Sequence, residues 1–228
     1  MGALLAFTLA GVRPMVMMAL LPPLAGAALP WSARLAVVGA MAVFRSFGPH
    51  AEALAPDSLA GEVLAGVLAG LALAVAFAAA SMAGEVAASI IGLGFASFAT
   101  AAGNVSVLGQ FYGAVMALAW ASTDGHLRLL ELMSGGISGM EAVTLGQLSA
   151  YGGVMFGGAL RMALPIVGLL LVGNLLVALA VRAAPQLGAL AVGPPLLLML
   201  LVWALPLLLE GLVDRARVTL ETAAVLVR

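Results

Sequence analysis

The chain has no cysteine and no lysine among its 228 residues, and only 8% of them are charged. Without cysteine there is no disulfide scaffold, no thiolate zinc site and no cysteine nucleophile. That absence says nothing about which side of a membrane the chain faces. Basic charge rests on nine arginines scattered along the sequence, and a net charge of −1 gives no basic stripe for holding nucleic acid. The two histidines, His50 and His126, lie far apart with no H-x-x-x-H or similar spacing, so no metal site is expected. A P-loop and a dinucleotide fingerprint are missing too, and no cofactor is expected.

What is abundant is apolar. Hydrophobic residues make up 64% of the chain, and the mean hydropathy is +1.21. Soluble domains are about half apolar and about a quarter charged. A chain this apolar cannot cover its own surface with polar groups; lipid or partner helices must do so. The expected fold is all-α: one integral membrane helical domain over 1–228, with about six hydrophobic helices, some of them broken or paired as hairpins. N-terminal helices fill 1–147, and a C-terminal helical hairpin and tail fill 148–228. Twelve methionines suit either gap-filling in apolar packing or a soft lining for a passage with varied cargo.

The first 30 residues carry a small-residue stretch, Ala25-Gly26-Ala27, of the kind found at signal cleavage sites. They lack a basic n-region, however, and Arg13-Pro14 interrupts the apolar run. A retained first helix is the expectation.

Formal charges divide the rest into blocks. Gly2–Leu21 is long enough to span, with a kink at Pro14, and Pro22-Pro23 ends it. Ala33–Phe47 is a shorter block between Arg34 and Arg45, followed by a polar loop over Arg45–Glu62. Val63–Ala83 is a clean spanning candidate. Val86–Thr123 then runs 38 residues without a formal charge. At about 1.5 Å per residue, a straight helix of that length far exceeds a hydrocarbon core of about 30 Å. It must break, and Ala101–Gly109, with Gly103, Asn104, Ser106 and Gly109, is the expected place. Non-helical backbone at membrane depth persists only when buried in protein or beside a water-filled space. An ordinary surface turn between two spans is the plainer alternative.

Asp124–Gln147 is a second polar region. Met162–Val181 and Leu187–Leu209 are strong spans joined by the link Arg182–Gln186, and Glu210–Arg228 forms a tail with three of the nine arginines. The positive-inside tendency leans that tail toward the cytoplasm, with Arg182 opposing it. Small residues at helical spacing (Gly66 with Gly70, Gly92 with Ala96, Gly153 with Gly157) predict close helix packing.

Catalysis is not expected. Gly136-Ile137-Ser138-Gly139 matches the G-x-S-G string of rhomboid-type proteases, but that mechanism needs a histidine from a later helix, and both histidines lie upstream. The remaining chemistry is charge set in or beside apolar helices: Arg13, Glu62, Glu85, Arg161, Arg182 and Glu210. Each reads either as a group facing the protein interior or as a boundary residue at the membrane surface. Glu85, flanked by small and apolar residues, is the sharpest of them.

The motifs, taken in order, resemble the FliR/SctT family, the R-type subunit of type III export gates. Glu62-x3-Gly66-x3-Gly70 matches the family's opening of a central helix. Ala83-Gly84-Glu85 leading to Gly92-Leu93-Gly94-Phe95-Ala96 follows its next pattern, and Asp124-Gly125-His126-Leu127 a third. Leu160–Pro165, Asn174, Arg182-Ala-Ala-Pro185-Gln186 and Val192-Gly193-Pro194-Pro195 complete a collinear similarity over roughly residues 10–210. Gly188 and Leu190 depart from the asparagine and aromatic residue usual after Pro185-Gln186.

The resemblance implies a non-enzymatic subunit of the flagellar protein export gate. It implies P-type and Q-type gate subunits and other export apparatus proteins as partners, with unfolded flagellar proteins in transit. The implied place is the bacterial inner membrane, multi-pass, at the flagellar basal body. The family's plugging loop corresponds here to about Ala101–Gly109, with Phe95 and Phe98 as candidates for an apolar constriction. Glu62, Gly66, Gly70, Glu85, Gly92, Pro165, Asn174, Arg182, Pro185 and Gln186 become candidates for assembly and structure. An equivalent virulence-injectisome subunit is the alternative within the family. A small-molecule secondary transporter is the alternative outside it, and that reading requires matched breaks in the two halves, whereas only one strong break is seen.

Overall fold

In the computed structural model, residues 2–21, 30–48, 58–92, 97–100, 103–135, 145–183 and 189–225 are described. They form seven helices and one short ribbon. In chain order these are α1 (Gly2–Leu20), α2 (Trp31–Phe47), α3 (Leu59–Ile91), β1 (Ser97–Thr100), β2 (Gly103–Ser106), α4 (Val107–Ser122), α5 (Gly125–Ser134), α6 (Leu145–Ala183) and α7 (Ala189–Val225). The fold is all-α apart from the ribbon.

Among the described residues, three helices are long and apolar enough to cross a membrane: Leu59–Ile91, Ser149–Ala183 and Gly193–Ala224. At 33 residues, α3 is about 50 Å long, well beyond a hydrocarbon core of about 30 Å. Two boundaries expected from charge do not hold. Glu85 does not end a span, since α3 continues through it to Ile91. Nor does Glu210, since α7 runs through Asp214, Arg215 and Arg217 to Val225.

The third helix is the axis of the molecule. In its most apolar window 61% of the residues are buried, against 17% for α6 and 22% for α7, whose apolar faces point outward. Composition explains the position. Ala69, Ala72, Ala76, Ala80, Ala83 and Ala87 are all buried, and side chains this small let neighbouring backbones close in. One core joins α3 with α4, α6 and α7 around Tyr112, Met116, Met162, Ile166, Leu170 and Leu212. A second joins α3 with α1, α5 and α6 around Met17, Met18, Leu68, Met133 and Tyr151. The five methionines among these residues fill gaps in packing.

The crossing of α1 over α3 is made at the Gly66–Gly70 pair. A Cβ at Gly66 would lie 2.9 Å from Val16 Cβ, and one at Gly70 would lie 2.9 Å from Leu20 Cβ. The Gly153–Gly157 pair behaves otherwise, since nothing lies within 4 Å of either; the adjacent Gly158 is the one that abuts Thr219. Spacing alone did not say which glycine of that run faces inward.

Prolines stand inside three helices: Pro14 in α1, Pro165 in α6, and Pro194, Pro195 and Pro206 in α7. A helical proline leaves the carbonyl four residues earlier without its donor. For Pro14 that carbonyl is Ala10 O, and for Pro165 it is Arg161 O. Each is taken by an arginine from another helix: Arg45 Nη1 at 2.8 Å and Arg215 Nη1 at 3.0 Å. Prolines are tolerated inside helices of an apolar bundle because the freed backbone groups find partners.

Candidate functional site at the break between the third and fourth helices

The charge-free run breaks between Ile91 and Val107. At the end of α3, Gly92 takes φ 79°, and its N–H reaches back to Ala88 O and Ser89 O. Only glycine holds that left-handed cap without strain, and it closes the helix. The chain then forms an antiparallel ribbon in which Ser97 faces Ser106, Phe98 faces Val105, Ala99 faces Asn104 and Thr100 faces Gly103. Helix resumes at Val107, so Leu108 and Gly109 belong to the first turn of α4.

Ser106 is the foot of the ribbon. It is 1% exposed, and its Oγ accepts the Gly109 N–H at 2.9 Å as the N-cap of α4. Its own N–H donates to Glu85 Oε1 at 2.8 Å. Beside that bond the two helices touch backbone to backbone. A Cβ at Gly84 would fall onto the backbone of Gly109 and onto Leu108 O. Gly84 and Glu85, the pair singled out in the sequence, therefore hold the end of the ribbon against α3.

A second polar centre lies at the other end of α3, some 23 residues or about 35 Å away along the helix. Arg13 Nη2 donates to Glu62 Oε1 at 3.1 Å. Arg13 Nε and Arg45 Nη2 approach Oε2 at 3.1 and 2.8 Å as off-axis charge contacts. Arg45 is 4% exposed and Glu62 8%. Two cations to one anion leave a surplus of one positive charge. The C-terminus of α5 faces that surplus: a Cβ at its cap Gly135 would lie 3.4 Å from Arg45 Nη2 and 3.8 Å from Arg13 Nη1. Helix C-termini carry partial negative charge, which suits the position.

The structure thus separates the candidates. Ser106, Gly109, Glu85 and Gly92 surround the foot of the ribbon, and the backbones of Phe98, Gly103 and Asn104 lie within it. Glu62, Gly66 and Gly70 belong to the α1–α3 contact. Pro165, Asn174 and Arg182 lie on α6, with Asn174 half-buried and Arg182 exposed in its last turn. Phe95, Ala101, Pro185 and Gln186 lie outside the described residues, as does the Gly136–Gly139 string. Arg45 and Arg215 are the residues that sequence reasoning missed. Their signal was available in the prolines at 14 and 165, each of which announces a carbonyl in need of a donor.

Helices of this length and apolarity, with their inner charges paired and turned onto orphaned carbonyls, define an all-α membrane protein. Residues 4–223 match the family described as bacterial export proteins, family 1, and the chain belongs to that family. Among curated relatives, the flagellar biosynthetic protein FliR of Pectobacterium carotovorum subsp. carotovorum is 36% identical over 157 residues, covering 65% of this chain and 60% of the relative. The flagellar biosynthetic protein FliR of Escherichia coli (strain K12) is 28% identical over 149 residues, covering 60% of this chain and 56% of the relative. The chain thus spans under two thirds of the length of either relative.

Proposed function

We propose that this chain is a subunit of the flagellar type III protein export gate. With P-type and Q-type subunits it forms the pore that passes unfolded flagellar proteins across the bacterial inner membrane, at the flagellar basal body. Membership of a family of export proteins and similarity to two relatives named for flagellar biosynthesis support this reading over an injectisome counterpart.

The observation that carries it is the ribbon of 97–106. It interrupts two apolar helices with backbone that lipid cannot satisfy, and such backbone belongs in protein or beside an aqueous path. The ribbon and its flanks, from Phe95 to Gly109, close the resting pore. The outward apolar faces of α6 and α7 meet partner helices or lipid.

Deletion of the gene in a flagellated host tests the assignment. Loss of filaments, and of hook and filament protein export, is expected; normal export in the deletion strain sinks it. Co-purification with P-type and Q-type subunits tests the partners.

A further inference from the structure

We propose that Glu85 is a positioning residue whose carboxylate sets the stance of the ribbon through the N–H of Ser106, an inference that rests on the closure reading above. Glu85 lies about two turns before the end of α3, and Ser106 is both the last residue of β2 and the N-cap of α4. The bond between them, Ser106 N to Glu85 Oε1 at 2.8 Å, therefore spans the whole break and ties its far end to the helix that enters it.

Burial gives the bond its force. Glu85 is exposed, but Ser106 is 1% exposed, so its N–H has no ready access to water. A buried backbone donor without an acceptor is strongly disfavoured, and the ribbon must shift to satisfy it by other means. The contact of Gly84 with the backbone of Gly109 gives the hinge, and the Glu85 bond fixes the angle about it. Leverage then matters. A four-residue strand is about 13 Å long, so a tilt of about 20° at Ser106 carries the opposite end of β2 by roughly 4–5 Å. A displacement of that size unseats a closure made by the ribbon.

A carboxylate at this point also lies near the N-terminus of α4, where charge alone stabilises a helix. The conservative variant separates the two roles. Glu85→Gln keeps an acceptor oxygen and removes the charge, whereas Glu85→Ala removes both.

The chain has no cysteine, so Gly61→Cys on α3 and Thr100→Cys on β1 give it two labelling sites of its own for a spin-label pair. The distance between the labels is measured in the assembled gate in membranes, with ion leak followed in parallel. Glu85→Ala is expected to raise the displaced population about tenfold, as befits a buried N–H left without its acceptor, while Glu85→Gln, with an acceptor oxygen in place, keeps the native distribution. A native distribution in Glu85→Ala overturns the proposal. So does a Glu85→Gln distribution as broad as that of Glu85→Ala, which makes charge the cause. Removal of residues 98–105 tests closure by itself. If that deletion leaves the leak unchanged, the closure reading falls, while the distance result still decides whether Glu85 positions the ribbon.

Discussion

Arg45 Nη1 lies 2.8 Å from Ala10 O, the one carbonyl that Pro14 leaves without its helical donor. The same guanidinium places Nη2 2.8 Å from Glu62 Oε2. One buried side chain thus supplies the donor that Pro14 takes from α1 and joins that helix to α2 and α3. Arg45→Met is expected to destabilise the protein by about 3–5 kcal/mol, the cost of breaking a buried pair. Thermal unfolding in detergent checks it. In a Pro14→Ala background the residue at 14 regains an N–H for Ala10 O, and the loss should shrink by about 1 kcal/mol. A double-mutant cycle with zero coupling rules out this role.

Glu62 is the single anion between Arg13 and Arg45. Glu62→Gln retains the shape and removes the charge, so two buried guanidinium groups then face each other. The expected loss is again about 3–5 kcal/mol and exceeds that of Arg13→Gln, which leaves the Arg45–Glu62 pair intact. Equal losses for the two variants would show that charge balance is not what holds this centre.

Much of this was legible in the sequence, and the reasons are physical. Apolar length announces a membrane helix, and an over-long charge-free run announces a break, because both follow from the thickness of a bilayer. Gly66 and Gly70 announced a close crossing, and α1 fills it. The limits of the break were less legible. Residues on either side of Gly92 and Ser106 carry no charge to mark a boundary, and the cap at Gly92 and the restart at Val107 are set by local backbone geometry. Arg45 looked like the border of a polar loop. Only the folded chain brings it under Ala10, 35 positions earlier.

The second proline and arginine pair joins α6 to α7 through one hydrogen bond, without an ion pair beside it among the described residues. Arg215 Nη1 donates to Arg161 O at 3.0 Å, across from Pro165. Arg215→Ala removes the donor of that one carbonyl and should cost about 1 kcal/mol, the net worth of a single hydrogen bond. In a Pro165→Ala background, where the new residue supplies the helical donor, the cost should vanish. Unfolding midpoints of the four proteins test this.

Gly66→Ala and Gly70→Ala each put a methyl 2.9 Å from a Cβ of α1, and overpacking of this kind costs about 1–3 kcal/mol. Gly61 lies on the same helix with nothing within 4 Å. Gly61→Ala should therefore be neutral or stabilise by up to about 1 kcal/mol, from helix propensity alone. If all three variants lose stability alike, α1 does not pack on α3 at these positions.

Gly84→Ala is the most demanding substitution on α3. At Gly66 and Gly70 the nearest atoms are the Cβ atoms of Val16 and Leu20, at 2.9 Å. At Gly84 the obstacle is the backbone of Gly109 and the Leu108 carbonyl, in the first turn of α4. That turn is itself pinned by the Ser106 cap and by Glu85, so relief requires α4 and the foot of the ribbon to move together. The loss should reach or exceed the upper end of the overpacking range, about 3 kcal/mol. Gly113, on the same helix as Gly109, has open space around it, and Gly113→Ala should gain up to about 1 kcal/mol. A Gly84→Ala protein as stable as wild type would mean that α3 and α4 do not meet backbone to backbone. The ribbon would then lack the hinge on which the role of Glu85 depends.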